Sequence, residues 1–158
     1  MDWLTLPLDY RAIERILPHR YPFLLVDRIT ELDPDKRVVG LKNISHNERY
    51  LASRPGEPPS LPPTILTECI AQVGAILILS KPENRGRIPL FRGIERVRFR
   101  RPVYAGEVVE IEARVKSLRS RVGQLHGFAR VNGRVVVDGT MTFALGPPTR
   151  MSGEDEPR

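Results

Sequence analysis

The chain contains one cysteine, and this scarcity excludes several classes of protein. Cys69 alone cannot form an intrachain disulfide, and the sequence offers no cluster with metal-ligand spacing. We therefore expect no metal and no cofactor. The neighbours of Cys69 are apolar and include no base, so a buried thiol is a better interpretation than a catalytic nucleophile.

Long hydrophobic runs are also missing. The longest apolar stretch, Ile65 to Leu79, is interrupted by Glu68 and Gln72 and is too short to span a bilayer. The first residues do not combine a basic leader with an apolar segment. We expect a cytoplasmic protein without a membrane span.

Charge is the main compositional bias, because 25 Lys and Arg residues outnumber 19 Asp and Glu residues and give a net charge of +6. Such an excess suggests an acidic partner. The sequence has no zinc-finger spacing and no aromatic-basic RNA-binding motif, and its β-rich second half does not suit a helix-turn-helix. We do not expect nucleic-acid binding.

With 158 residues and 41% apolar content, the chain fits one domain, which we place at residues 1–146, followed by a polar tail at 147–158 that we expect to be disordered. An Asn-Gly pair at 132–133 predicts a tight hairpin. The patterns predict helices at Tyr10–Leu17 and within Pro62–Ser80, and strands at Phe23–Leu32, Arg37–Ile44, Leu90–Arg100, Glu107–Val122, Gln124–Val131 and Arg134–Leu145, with Gly146-Pro147-Pro148 ending the last. This order favours an α+β fold in which an antiparallel sheet curls around the long helix.

The long helix carries two polar residues that its apolar surroundings do not explain. Glu68 and Gln72 are four residues apart and therefore share one helix face. Either they meet polar partners in the core, or they face a cavity that binds a ligand.

Several motifs resemble those of the β-hydroxyacyl-acyl-carrier-protein dehydratases of fatty-acid synthesis. They are Leu17-Pro18-His19-Arg20-Tyr21-Pro22-Phe23-Leu24-Leu25-Val26-Asp27-Arg28, then Asn47-Glu48, Pro62, Glu68 and Ala71-Gln72, and finally Val97-Arg98-Phe99-Arg100-Arg101-Pro102-Val103 with Ala105-Gly106-Glu107. The resemblance implies a hot-dog fold, with a curved antiparallel sheet wrapped around a long central helix. It also implies dimers, often assembled as trimers of dimers, with acyl-thioester tunnels at the dimer interface.

The catalytic pattern of that family is incomplete here. Family members use a histidine in a Gly-His-Phe-Pro-Gly motif and a helix carboxylate from the other subunit, and Glu68 stands at the carboxylate position. The histidine position holds Arg54, or Ser53 in an alignment shifted by one residue, and neither can act as a base by itself. Pro63 replaces the glycine whose backbone N–H polarises the thioester carbonyl, and proline has no N–H. By resemblance, Ser53, Arg54, Pro63 and Gln72 are substrate-binding positions.

The three histidines offer no obvious replacement. His46 is the nearest in sequence, but a surface or structural role suits it better. His19 belongs to the opening motif, where the family residue is structural, and His126 lies in a β segment far from the site. For Glu68, the alternative to a catalytic role is a carboxylate satisfied by Arg54 in a buried salt bridge, or by backbone groups.

The arginines of the third-strand motif form a candidate docking patch. Arg96, Arg98 and Arg100 alternate and should project from one face, with Arg101 on the other. They could form an ordinary solvated surface, or they could dock an acidic acyl carrier protein.

Three functions follow from these observations. The first is a dehydratase-family protein that binds acyl thioesters or acyl carrier protein but has little activity alone, as a homodimer or as the partner of an active paralogue. The second is an active hydro-lyase that acts on (3R)-hydroxyacyl thioesters through a rearranged site containing Glu68. The third is a hot-dog thioesterase in which Glu68 activates water.

Overall fold

The structure, a computed structural model, describes residues 5–119 and 121–148. The elements in this part of the chain are α1 (Tyr10–Ile16), β1 (Arg28–Asp33), β2 (Arg37–Asn43), β3 (Ser60–Leu61), α2 (Pro63–Leu79), a 3₁₀ turn (Pro82–Asn84), β4 (Arg87–Phe99), β5 (Val103–Tyr104), β6 (Val108–Arg119), β7 (Val122–Val131) and β8 (Arg134–Pro148). Six strands form one antiparallel sheet in the order β1-β2-β6-β7-β8-β4, and β3 pairs with β5 in a separate two-stranded sheet. The predicted α+β architecture, with a helix packed on a curved antiparallel sheet, is confirmed.

Helix α2 is the centre of the core. Pro63 occupies its first turn, where a missing N–H costs no intrahelical bond, and the Thr67 hydroxyl donates to the Pro63 carbonyl at 2.9 Å. Every residue from Cys69 to Leu79 is buried, which explains why the helix is apolar around almost its whole circumference. The sheet lies close to α2 at Gly127 of β7, which is directly against the side chain of Ile70.

The second half of the chain matches the prediction except at strand ends. Asn132 and Gly133 have φ values of 49° and 75° and connect β7 to β8, as predicted. The strand predicted at Glu107–Val122 is wrong at its end, because β6 ends at Arg119 and β7 already begins at Val122. The stop predicted at 146–148 is also wrong, since β8 continues to Pro148 along β4. Residues 149–158 of the expected tail lie outside the described residues.

The strand predicted at Phe23–Leu32 begins only at Arg28. Residues 23–27 lack strand pairing because side chains satisfy part of their backbone: Gln72 accepts the Leu25 N–H at 2.9 Å. The short pair β3–β5 was not predicted, since two-residue strands carry too little pattern. In the described part of the chain, no helix has the length and apolar character needed to cross a membrane.

Candidate active site

Glu68 lies on the face of α2 that meets the chain segment following α1. Its side chain is 26% exposed, its Oε1 accepts a hydrogen bond from Gln72 Nε2 at 3.0 Å, and the same oxygen lies 3.6 Å from His19 Nε2. Within residues 5–119 and 121–148, Oε2 makes no hydrogen bond to protein. One carboxylate oxygen is therefore held in place and the other is available to a ligand.

Gln72 fixes this arrangement from one turn further along the helix. Its Oε1 accepts the Leu25 N–H at 2.9 Å, and its Nε2 donates to the Phe23 carbonyl at 2.8 Å as well as to Glu68. The amide orientation follows from these partners, because an N–H requires an acceptor and a carbonyl requires a donor. The amide's polar groups are engaged in the protein, so Gln72 positions the site, and it also lines the cavity described below, so its predicted contact with substrate stays a prediction.

His19 was expected to be structural, and the structure instead places it beside Glu68. It follows Pro18 after α1, and the Arg20 guanidinium fixes the turn by donating to the Leu17 and His19 carbonyls, each at 2.8 Å. The His19 side chain is 28% exposed, while its Nδ1 is buried without a hydrogen-bond partner among the described residues. Sequence reasoning missed this contact because residues 19 and 68 belong to different motifs.

A cavity of about 350 Å³ adjoins this pair. His19 and Glu68 lie on its wall, and they are the ionisable side chains lining it in the described part of the chain. The remaining surface is largely apolar and includes Ile78 of α2 together with Leu125 and Phe143 of the sheet. Both features raised by the sequence are present: Gln72 has polar partners in the protein, and the polar face of α2 also meets a cavity. An apolar lining of this kind suits an apolar chain.

A second depression, of about 270 Å³, meets the same carboxylate from the side of β4. It shares Glu68, Ala71 and Phe91 with the first cavity and extends to Val97 and Phe99. Glu68 therefore lies at the boundary between two apolar spaces, where the reactive part of an elongated ligand could reach it.

The other predicted substrate positions lie elsewhere in this chain. Arg54 and Pro63 line a third depression, of about 420 Å³, together with Arg100 and Arg101, and Ser53 is exposed. The alternative in which Arg54 neutralises Glu68 is not realised within the chain, because the ionic partner of Glu68 among the described residues is His19.

The four arginines of the proposed docking patch do not share a free face. A β-bulge between Glu95 and Arg98, with Arg96 at φ 54°, breaks the expected alternation. Arg98 and Arg100 each hold one oxygen of Asp138, at 3.0 and 2.9 Å, and Asp138 has a side-chain exposure of only 3%.

Arg101 pairs instead with Glu107 at 2.9 Å. The hydrogen bond from the Arg101 side chain lowers the pKa of Glu107 below the usual value for a glutamate. Arg98, Arg100 and Arg101 of the predicted patch are therefore also held in structural ion pairs.

The remaining candidate groups lie away from the cavity. His46 is exposed, and His126 forms a 2.9 Å hydrogen bond with Thr140 and packs on Phe128. Burial lowers the pKa of His126 and raises that of the Cys69 thiol to about 12, so Cys69 is no thiolate nucleophile at neutral pH. Among the described residues, no group of three or more His, Cys, Asp or Glu side chains is arranged to hold a metal ion.

Comparison with known proteins gives consistent matches. The FabA-like domain family matches residues 17–144. The 3-hydroxyacyl-[acyl-carrier-protein] dehydratase FabZ of Moorella thermoacetica is 47% identical over 140 residues, covering 88% of this chain and 97% of that protein. The FabZ dehydratase of Bacillus subtilis is 44% identical over 139 residues, covering 88% and 99%. Among solved structures, the dehydratase heterocomplex ApeI:P from Xenorhabdus doucetiae superposes with a TM-score of 0.75 at 20% identity, covering 91% of this chain and 93% of that one.

Proposed function

Because the chain belongs to the FabA-like family of β-hydroxyacyl-acyl-carrier-protein dehydratases and has their hot-dog fold, we propose that it is an active 3-hydroxyacyl-thioester dehydratase. This proposal adopts the second of the three functions inferred from the sequence. The first function, a protein with little activity alone, was inferred because Arg54 and Pro63 occupy the positions of the family's catalytic histidine and glycine.

One observation carries the proposal: Glu68 is partly buried at the wall of an apolar cavity with one oxygen held and the other free. Dehydration needs a group that removes the proton next to the thioester carbonyl and a group that protonates the departing hydroxyl. A carboxyl can serve in either capacity. The apolar cavity is suited to the acyl chain, because burying each methylene contributes about 0.8 kcal/mol.

We propose further that the working unit is a dimer formed through β4. This strand pairs only with β8 among the described strands, so its other edge is unpaired. Leu90, Phe91 and Ile94 on β4 are all large, apolar and exposed. An unprotected apolar edge strand favours pairing with another strand, and a second copy of β4 would extend the sheet. Such a dimer would also cover the depression between Glu68 and β4.

Acyl carrier protein is the proposed substrate carrier, and the relatives named above carry it in their names. The arginine patch at residues 96, 98, 100 and 101 remains the proposed docking surface. Asp138 neutralises one charge of the Arg98–Arg100 pair, and both guanidinium groups stay substantially exposed, so a net positive charge faces solvent. A cytoplasmic location suits this carrier and is part of the proposal.

The test is incubation of the purified protein with 3-hydroxyacyl carrier protein, followed by mass spectrometry. Loss of 18 mass units as water, with the acyl group retained, supports the proposal. We expect Glu68→Gln to lower the rate by about 10²- to 10⁴-fold, the usual contribution of general acid–base catalysis. Release of the acyl group would indicate a thioesterase. Binding of the carrier without turnover would contradict the proposal and favour the expectation of low activity alone.

A further inference from the structure

The cavity contains one ionisable group that the proposed function has not yet used, the imidazole of His19. The chain has three histidines, and the other two, His46 and His126, are exposed or bonded to Thr140 away from the cavity. His19 Nε2 lies 3.6 Å from Glu68 Oε1 on the cavity wall. Arg54 cannot act as the second acid–base group, because a guanidinium stays protonated.

We propose that His19 is the second catalytic group of this site and acts with Glu68 of the same chain. The inference rests on the proposed function and specifies how the reaction proceeds without a histidine at position 54. It also changes the composition of the site, since both acid–base groups then come from one subunit.

The surroundings of His19 argue against a purely structural role. Buried polar atoms of side chains retained for packing are nearly always hydrogen-bonded, whereas Nδ1 of His19 has no partner in the described part of the chain. The one ionic contact of the ring is with Glu68. The backbone around it is nevertheless fixed, because Arg20 bonds the Leu17 and His19 carbonyls and Gln72 bonds the segment at Phe23 and Leu25. The backbone therefore fixes the position of the ring, with Nε2 facing Glu68 and Nδ1 unpaired among the described residues.

The proton transfers of the reaction can be completed with these two groups alone. In the working form Glu68 carries a proton and Nε2 of His19 has a free electron pair. Nε2 takes a proton from C2 of the substrate, and the electrons of the C2–H bond form the C2–C3 double bond. The C3–O bond breaks, and the departing hydroxyl takes the Glu68 proton and leaves as water. Proton transfer from His19 to Glu68 then restores both groups.

The observed distance suits this cycle. At 3.6 Å the two atoms are not hydrogen-bonded, and acid–base pairs commonly tighten only when the substrate binds. Once the pair tightens to hydrogen-bond distance, the final proton transfer passes directly between the two atoms and needs no additional reactant.

The pair predicts a characteristic pH dependence. The reaction needs one acid and one base, so the rate should follow a bell-shaped curve against pH. In the described part of the chain, the charged groups that contact His19 are Glu68 on α2, at the ring, and Arg20, at the backbone carbonyl; the ring of Phe23 beside it is uncharged.

The experiment compares His19→Gln with His46→Gln, the same substitution at an exposed position. In the wild-type protein, absence of water loss from 3-hydroxyacyl carrier protein would refute the proposed function itself. With an active wild type, we expect His19→Gln to lower kcat by about 10²-fold or more, to leave KM within about threefold, and to remove one limb of the pH profile. His46→Gln should retain wild-type kinetics.

Two results would overturn the role of His19 while leaving the proposed function intact. One is wild-type turnover by His19→Gln. The other is a reduced rate with both limbs of the pH profile retained, which would indicate a structural effect. Circular dichroism confirms folding of each variant, and His19→Asn repeats the comparison with a shorter side chain if the glutamine variant does not fold.

Discussion

Replacing Gln72 with leucine tests whether one side chain supports both the fold and the site. Leucine has a similar size and leaves little cavity, but it cannot bond the Leu25 N–H or the Phe23 carbonyl, now at 2.9 and 2.8 Å. A buried polar group that loses its partner costs about 1–3 kcal/mol. Leu25 is buried whereas Phe23 is 39% exposed, so the loss comes mainly from the Leu25 N–H. We expect the free energy of unfolding to fall by about 1–3 kcal/mol.

The matched control is Gln124→Leu. Gln124 is also partly covered and donates one long hydrogen bond, 3.3 Å, to the Thr142 hydroxyl. Its loss should cost less than about 1 kcal/mol. Urea denaturation of both variants gives the comparison. A loss at Gln72 no larger than the loss at Gln124 would refute the assignment of Gln72 as the connection between α2 and the 19–25 segment.

The same substitution should affect catalysis through geometry. Without Gln72, Glu68 loses the 3.0 Å hydrogen bond that fixes Oε1, and the segment carrying His19 loses its attachment to α2. Small misplacements of reacting groups can reduce rates by up to about 10²-fold. We expect kcat to fall by more than about tenfold in the folded variant, and an unchanged kcat would contradict this reasoning.

Three further predictions concern the sheet. Arg98→Glu combined with Arg100→Glu should lower the urea midpoint, because buried Asp138 would lose both partners and gain two like charges, whereas Arg96→Glu should leave the midpoint unchanged. Gly127→Val should cost about 1–3 kcal/mol in unfolding free energy through overlap with Ile70, while Gly93→Ala, which has space for a methyl group, should be nearly neutral. Burial alone would raise the pKa of Glu112, but hydrogen bonds from Arg114 and Arg130 outweigh it and lower the pKa below its unfolded value. The ionised Glu112 therefore stabilises the folded protein above its unfolded pKa of about 4.3, and this stabilisation is lost as the pH falls through the folded pKa. The difference in unfolding free energy between the wild type and Glu112→Gln should shrink on acidification.

The elements that the sequence predicted well are those with strong local signals. Helix α2 combines a proline in its first turn with a continuous apolar run, and the Asn132-Gly133 turn requires positive φ at both residues. Such features depend on neighbouring residues, so the sequence alone reveals them. The fold class followed from their order along the chain.

The errors occurred where distant residues determine the structure. The apolar run at 23–27 resembles a strand, but part of its hydrogen bonding comes from Gln72, 47 residues beyond Leu25 in sequence. Similarly, β8 continues through Gly146–Pro148 because β4 lies beside it, which the local proline signal could not show. Asp138 gives no sequence signal that it holds Arg98 and Arg100.

The candidate site shows the same division between local and distant information. The resemblance identified Glu68 as the family's helix carboxylate. It also showed that the family histidine is missing, because position 54 holds an arginine. The resemblance also assigned His19 a structural role, because that is the role of the family residue in the opening motif. A motif does not show the 3.6 Å contact between His19 and Glu68. When a chain loses one catalytic residue, the positional roles of the others no longer follow from the family pattern, since any suitably placed base can pair with the remaining acid. Geometry around the retained carboxylate is then the better guide, and here it leads to His19.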